Sequence, residues 1–370
     1  MNSVVLASPQ VPRLEPIEGP LVFAATDRLL LVAPHPDDES LAAAGLLQRA
    51  RRAGAELRVM YVTDGENNPW AQLVFEGRWP VSVKDRRRWG ARRRREAIHA
   101  VGQFGIEPGN VQFLGFPDQG LTDHLARGDE KLLHALTAEL RATQPTVVAI
   151  PSLGDRHPDH SAIAVLARLA LERGAMHAPP PNVLRYLVHP PAQREPGSVW
   201  VRLDTMEQEL KRRAILCHRS QLRWRRSQLL ATVEVAEEFR TGVPVFPHDS
   251  MHPIKHARFE GCELVFELAR MPRPALGPAV LRVLFETTRL ALVVATVRLV
   301  SRRESSAPLE SSRGGSCGEA RMAYDAASGR GRLRLTTTLR PQQAYLKLER
   351  PLGRRLGIYD DAGWRAVPVN

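Results

Sequence analysis

Residues 28–220 alternate between short, almost wholly apolar runs and longer stretches whose apolar residues recur every three to four positions. The runs are RLLLVAP (28–34), ELRVMYVTDG (56–65), VQFLGFPD (111–118), TVVAIPS (146–152) and VLRYLVH (183–189). Helical spacing fills 41–53, 86–104, 130–143 and 160–173, and 204–218 adds a further helix with Asp204 or Thr205 as its cap. Strands without polar alternation are buried on both faces, and strands alternating with helices of this length form βαβ units. The pattern predicts an α/β fold with a doubly wound, mainly parallel sheet. After about residue 245 it changes: GCELVFELA, LRVLFETTRLALVVATVRLV, GRLRLTTTL and QAYLKLERP read as strands without long helices between them. The expected division is an N-terminal extension (1–27), an α/β domain (28–245) and a smaller β-rich C-terminal accessory domain (246–370). Residues 305–331, rich in Ser, Gly and Ala, read as a loop or linker, and NNPWAQLVFEGRWPVSV (67–83) as a long irregular lid or pocket wall.

Composition changes this picture little. At 370 residues, with 43% hydrophobic and 25% charged residues, the chain has the make-up of a globular protein. The N-terminus has no basic segment followed by an apolar one, and the apolar run 290–297 falls far short of the roughly 20 residues of a membrane span. Three widely spaced cysteines fit a reducing compartment, and the expected location is the cytoplasm. The net charge of +12 invites a nucleic-acid reading. Only five of the 52 basic residues are lysine, however, and 251–370 holds 20 basic against 11 acidic residues, so the α/β part carries only about +3. No specific nucleic-acid partner is expected.

Chemistry enters where the strands end. The first run terminates in PHPDDES (34–40), and TVVAIPS is followed by GDRHPDH (154–160). Ligands of open parallel sheets bind outside the carboxyl ends of the strands, so both His/Asp clusters fall on one rim. A divalent cation is the simplest partner for such acids. His35 and Asp38, spaced i, i+3, can converge on one ion, and a histidine of HPDH can supply a third ligand. Asp37 then remains beside the ion as a general base.

Together with TDGE (63–66), RRREA (93–97), FLGFPDQGL (113–121) and KRRAILCHRSQ (211–221), these clusters resemble the PIG-L (LmbE-like) family of metal-dependent N-deacetylases across residues 28–221. The resemblance implies a Rossmann-like fold and one Zn2+ per chain, with Fe2+ or another divalent ion as the alternative, held by His35, Asp38 and His160. It makes Asp37 the general base and has His157 stabilise the tetrahedral intermediate, with Asp159 as its orienting partner. Asp37 or His157 protonates the leaving amine. It implies N-acetylated glucosamine conjugates as substrates: lipid-linked, polysaccharide or small-molecule amino sugars, with peripheral membrane contact allowed and oligomeric state open. The residues themselves add Arg93, for a substrate hydroxyl or phosphate, and Asp118, for sugar hydroxyls. A cationic His157 is expected. His218 reads as structural, and His99 and His189 receive no role. Two other classes fit the motifs: an Fe(II) oxygenase with an HxD…H facial triad, and a sugar-binding protein on the same scaffold without catalysis.

Overall fold

The computed structural model describes residues 19–174, 180–190, 197–241, 252–269, 279–301, 303–350 and 362–369. Most of the N-terminal extension and the division expected at 245/246 lie outside the described residues. Two sheets organise the described residues.

The first sheet contains β1 (Gly19–Pro20), β2 (Arg28–Ala33), β3 (Glu56–Thr63), β4 (Val111–Phe116), β5 (Val147–Pro151), β6 (Asn182–Tyr186), β7 (Val199–Arg202) and β8 (Ala236–Thr241), in the order β1-β7-β8-β6-β5-β2-β3-β4. β2 pairs in parallel with β3 and β5, as do β3 with β4, β5 with β6 and β1 with β7. β8 runs antiparallel to β6 and β7, so the sheet is mixed. Its sequence, AEEFRT, offers too little apolar pattern to announce a strand.

The helices are α1 (Asp38–Ala42), α2 (Ala44–Arg52), α3 (Pro69–Glu76), α4 (Val83–Gly102), α5 (Leu121–Ala126), α6 (Lys131–Thr143), α7 (Pro158–Gly174), α8 (Thr205–Cys217) and α9 (Arg219–Leu230). Alternation along β2 distributes them. Leu29, Leu31 and Ala33 meet Leu46, Leu47, Ala97, Ala100 and Ala214 on one face, while Leu30 and Val32 meet Leu133, Leu136, Ile163 and Leu166 on the other. The chain therefore leaves β2 towards one layer and β5 towards the opposite one. Because β2 and β5 are neighbours, a crevice opens at their carboxyl ends, the position where open α/β sheets bind ligands.

Two expectations about irregular segments are corrected. Residues 69–76 form α3, because Asn68 accepts a hydrogen bond from the Ala71 N–H at 3.1 Å and Pro69 occupies the first turn, where a missing N–H costs nothing. Residues 305–325 form two strands rather than a linker.

These strands belong to the second sheet: β9 (Ile254–Glu260), β10 (Glu263–Leu268), β11 (Val280–Thr287), β12 (Leu292–Arg298), β13 (Ser305–Ser311), β14 (Ser316–Asp325), β15 (Arg330–Thr336), β16 (Pro341–Glu349) and β17 (Arg365–Val367). Its described ladders are antiparallel, in the order β17-β16-β11-β12-β13-β14-β15-β10-β9. In β13 and β14 the inward side chains are Leu309, Ala320 and Met322, with one large aliphatic residue in each strand, so the alternation becomes visible only once the neighbouring strands pair with them. Val283 and Phe285 of β11 point into this sheet's own core, but Leu284 joins Leu292, Val294, Tyr345 and Trp364 against the α6/α7 layer. Arg173 at the end of α7 spans the seam, donating to Glu286 at 2.8 Å and to Glu130 at 3.1 Å.

Candidate metal centre

Three atoms meet in the crevice. His35 Nδ1 lies 3.2 Å from His160 Nε2 and 3.5 Å from Asp38 Oδ2, and His160 Nε2 lies 3.3 Å from Asp38 Oδ2. A tetrahedral ion bound at about 2.0–2.2 Å holds its ligands roughly 3.3–3.6 Å apart. The triangle has the dimensions of one face of such a site, and all three side chains are buried.

The outer ring nitrogens are also engaged. His160 Nδ1 is 3.1 Å from Asp155 Oδ2, which also accepts from the N–H groups of Val188 and His189. His35 Nε2 faces Asp118 Oδ1 at 3.2 Å and Asp159 Oδ2 at 3.4 Å. Carboxylates behind metal-binding imidazoles fix the tautomer and raise ligand basicity. Asp38, Asp118, Asp155 and Asp159 are all buried here, and so much negative charge requires compensation. Without a cation, protons supply it. Burial opposes protonation of His160, but Asp38 and Asp155 raise it to about 10. Burial likewise opposes protonation of His35, and Asp118, Asp159 and Asp38 hold it well above the usual range. The donor set fits a divalent cation.

Asp37 sits one residue away in a strained backbone, with φ 119°. Two hydrogen bonds hold it, and two more anchor the guanidinium that makes one of them. Its N–H donates to Glu39 Oε2 at 2.9 Å, Arg93 Nη2 donates to its Oδ2 at 3.0 Å, and the same guanidinium donates to the carbonyls of Pro36 and Gly65. Gly65 is required there: at φ 61°, a Cβ would lie 1.7 Å from Arg93 Nη1. The buried Glu39 also accepts from Ser40 Oγ at 2.6 Å and pairs with His218 Nε2 at 2.8 Å. Burial, opposed by Arg93, raises the Asp37 carboxyl to about 6.

His157 lies with its ring 4.6 Å from that of His35 and 5.0 Å from that of His160. Its Nδ1 accepts from the Asp159 N–H at 3.2 Å, so the proton of the neutral ring resides on Nε2. Burial and the positive His35 and His160 push its pKa well below the usual value. This direction favours a neutral ring beside protonated His35 and His160, whereas the sequence leads one to expect a cationic His157. The Asp159 carboxylate accepts from the N–H groups of Gln119 at 2.6 Å and Leu121 at 3.1 Å, besides facing His35.

The structure thus brings His35, Asp37, Asp38, His157, Asp159 and His160 together. It places Arg93 on Asp37, and Asp118 on His35 and the Asn67 N–H. Asp155, Glu39, His218 and His189 join the site without having been assigned to it by sequence. The His189 ring is 5.2 Å from that of His160, and burial lowers its pKa to about 4. Asp155 and Glu39 lay within the quoted motifs, but only folding shows which imidazole each one faces. His99 is exposed on α4.

Fold and site together give a mixed α/β protein with a cluster of His and Asp side chains, a candidate cation site, at a topological switch point. Residues 30–171 match the family model described as PIG-L: GlcNAc-PI de-N-acetylase. The 1D-myo-inositol 2-acetamido-2-deoxy-alpha-D-glucopyranoside deacetylase of Mycobacterium sp. (strain KMS) is 30% identical over 177 residues, covering 44% of this chain and 56% of that protein. The enzyme of the same name from Rhodococcus jostii (strain RHA1) is 31% identical over 165 residues, 39% of this chain and 53% of that one. The chain spans about half the length of the curated relatives it matches. Among solved structures, N,N'-diacetylchitobiose deacetylase from Pyrococcus horikoshii is 21% identical with a TM-score of 0.47, covering 58% of this chain and 83% of that one.

Proposed function

We propose that the protein is a metal-dependent hydrolase that removes the N-acetyl group from an N-acetylglucosamine-type conjugate. The observation that carries this reading is the triangle of His35 Nδ1, Asp38 Oδ2 and His160 Nε2, with Asp37 left beside it. A bound divalent cation, Zn2+ by its donor set, would polarise the acetyl carbonyl and lower the pKa of a water towards about 7. Asp37 takes the proton of the attacking water, and its raised pKa matches a base working near neutral pH. His157 directs its Nε2–H at the carbonyl oxygen as charge develops there. The C–N bond breaks as Asp37 returns the proton to the leaving nitrogen, giving acetate and a free amine. Arg93 and Glu39 keep the base aligned, and Asp118, Asp155 and Asp159 orient the imidazoles.

The oxygenase reading needs Asp37 as a ligand, yet Arg93 holds that carboxylate and Asp38 completes the triangle. A binding protein without catalysis would have no use for the strained, anchored Asp37. The test is acetate release from N-acetylglucosamine conjugates by the purified protein, before and after chelation and Zn2+ add-back. Chelator-sensitive release supports the proposal. No release from any conjugate by the metal-loaded protein contradicts it.

A further inference from the structure

Between β3 and α4 the chain raises two tryptophans into solvent. Trp70, in the first turn of α3, is 49% exposed, and Trp79, two residues past the cap Gly77, is 61% exposed. Their rings stack with centroids 5.8 Å apart and planes 22° from parallel. Val83, the first residue of α4, is 68% exposed. Large apolar side chains gathered at the surface mark an interaction site more often than scattered ones do.

The charges around them have one dominant sign. Arg78, Lys84, Arg86 and Arg87 are all exposed within ten residues of one another. The neighbouring acids turn to partners of their own. Asp85 closes the capping box with Ser82 and pairs with Arg78 at 3.2 Å and Arg88 at 2.7 Å, and Glu76 pairs with Arg88 and Arg92. Ser82 is likewise committed to the cap, so neither group is left to read sugar hydroxyls.

We infer that the Trp70–Trp79 pair and the cations at the head of α4 form a docking surface for an anionic lipid bilayer. Indole rings favour the boundary between acyl chains and headgroups, where the ring is buried and the N–H stays wet. Basic side chains beside them are drawn to anionic headgroups. Both rings are about half exposed or more and so free to meet such a boundary. Its position gives the docking a purpose: Asn67, three residues before Trp70, donates its N–H to Asp118 at the wall of the metal centre. A bilayer held there lies next to the crevice. This surface does not depend on the deacetylase reading.

The experiment is co-sedimentation of the full chain with vesicles of phosphatidylcholine mixed with phosphatidylglycerol, against pure phosphatidylcholine. The wild type should bind the mixed vesicles more tightly, and added salt should narrow the gap. W70A/W79A should weaken binding to both kinds. R86A/R87A should weaken binding to the mixed vesicles by about 25-fold, at roughly fivefold per cation. Bound metal should be unchanged in both variants, showing that the fold survives. Absence of binding to mixed vesicles, or equal binding by W70A/W79A, overturns the proposal. So does a self-association of the wild type that W70A/W79A abolishes, or retention on a glycan resin that depends on the two tryptophans; these outcomes assign the surface to a second copy or to a polysaccharide.

Discussion

Gly363 tests whether the C-terminal segment supports the metal centre. It leads into β17 and packs against the loop between β5 and α7 so closely that a Cβ would lie 1.9 Å from the Leu153 carbonyl oxygen, 2.8 Å from Ser161 Cβ and 3.0 Å from the Asp155 carbonyl oxygen. Ordinary contact starts near 3.4 Å. Gly363→Ala must therefore part the two segments by about 1.5 Å, at a cost of roughly 1–3 kcal/mol for overpacking. The displaced backbone carries Asp155, whose carboxylate fixes His160 Nδ1 at 3.1 Å, and His160 Nε2 is one corner of the triangle. Loss of such an orienting contact typically weakens metal affinity about 10–100-fold. The assay is Zn2+ affinity by chelator competition, with thermal unfolding beside it to register the packing cost. A folded Gly363→Ala protein with wild-type metal affinity would rule this coupling out, because the segment would then merely lie against the loop without holding it.

Two further outcomes follow from the packing. Truncation at residue 245 strips the α6/α7 layer of Leu284, Leu292, Val294, Tyr345 and Trp364. At about 1.5–3 kcal/mol for each buried side chain this approaches the whole stability of a typical domain, so the fragment should be insoluble or unfolded by circular dichroism; a stable, metal-binding fragment would show that 246–370 is a separable accessory domain. Glu39→Gln replaces a carboxylate that accepts from Asp37, Ser40 and His218 with an amide that must present a donor to one of them. It should lower kcat about 100-fold while metal content and KM stay near wild type, since the strained base is misplaced but the triangle remains; unchanged kcat would make Glu39 a bystander.

The parts of the molecule legible in the sequence are those where one side chain type has one use. β2 and β5 could be read because an apolar run of that length without alternation suits a strand covered on both faces and little else, and both motifs could be placed because they end those runs. The second layer of carboxylates could not. Asp155 and Asp159 differ only in which imidazole they face, and that depends on how α7 leaves β5. Arg93 could be picked out of DRRRWGARRRRE as a candidate, but for a substrate hydroxyl or phosphate; only packing shows it turned inward onto Asp37. The C-terminal strands showed their own core but not their second face, because Leu284 and Tyr345 sit in ordinary strand alternation and only docking reveals what they cover.

In the proposed mechanism two adjacent aspartates do different work: Asp38 holds the ion and Asp37 moves the proton. Metal stoichiometry and turnover, measured together on Asp37→Asn and Asp38→Asn, separate the two roles. Asp38→Asn should lose metal, because a neutral amide is a poorer ligand than a carboxylate. Asp37→Asn should retain one ion per chain and lose about 10²–10⁴-fold in kcat, the usual contribution of a general base. Metal lost from Asp37→Asn but kept by Asp38→Asn would reverse the roles, and full turnover in both variants would leave the mechanism without its base.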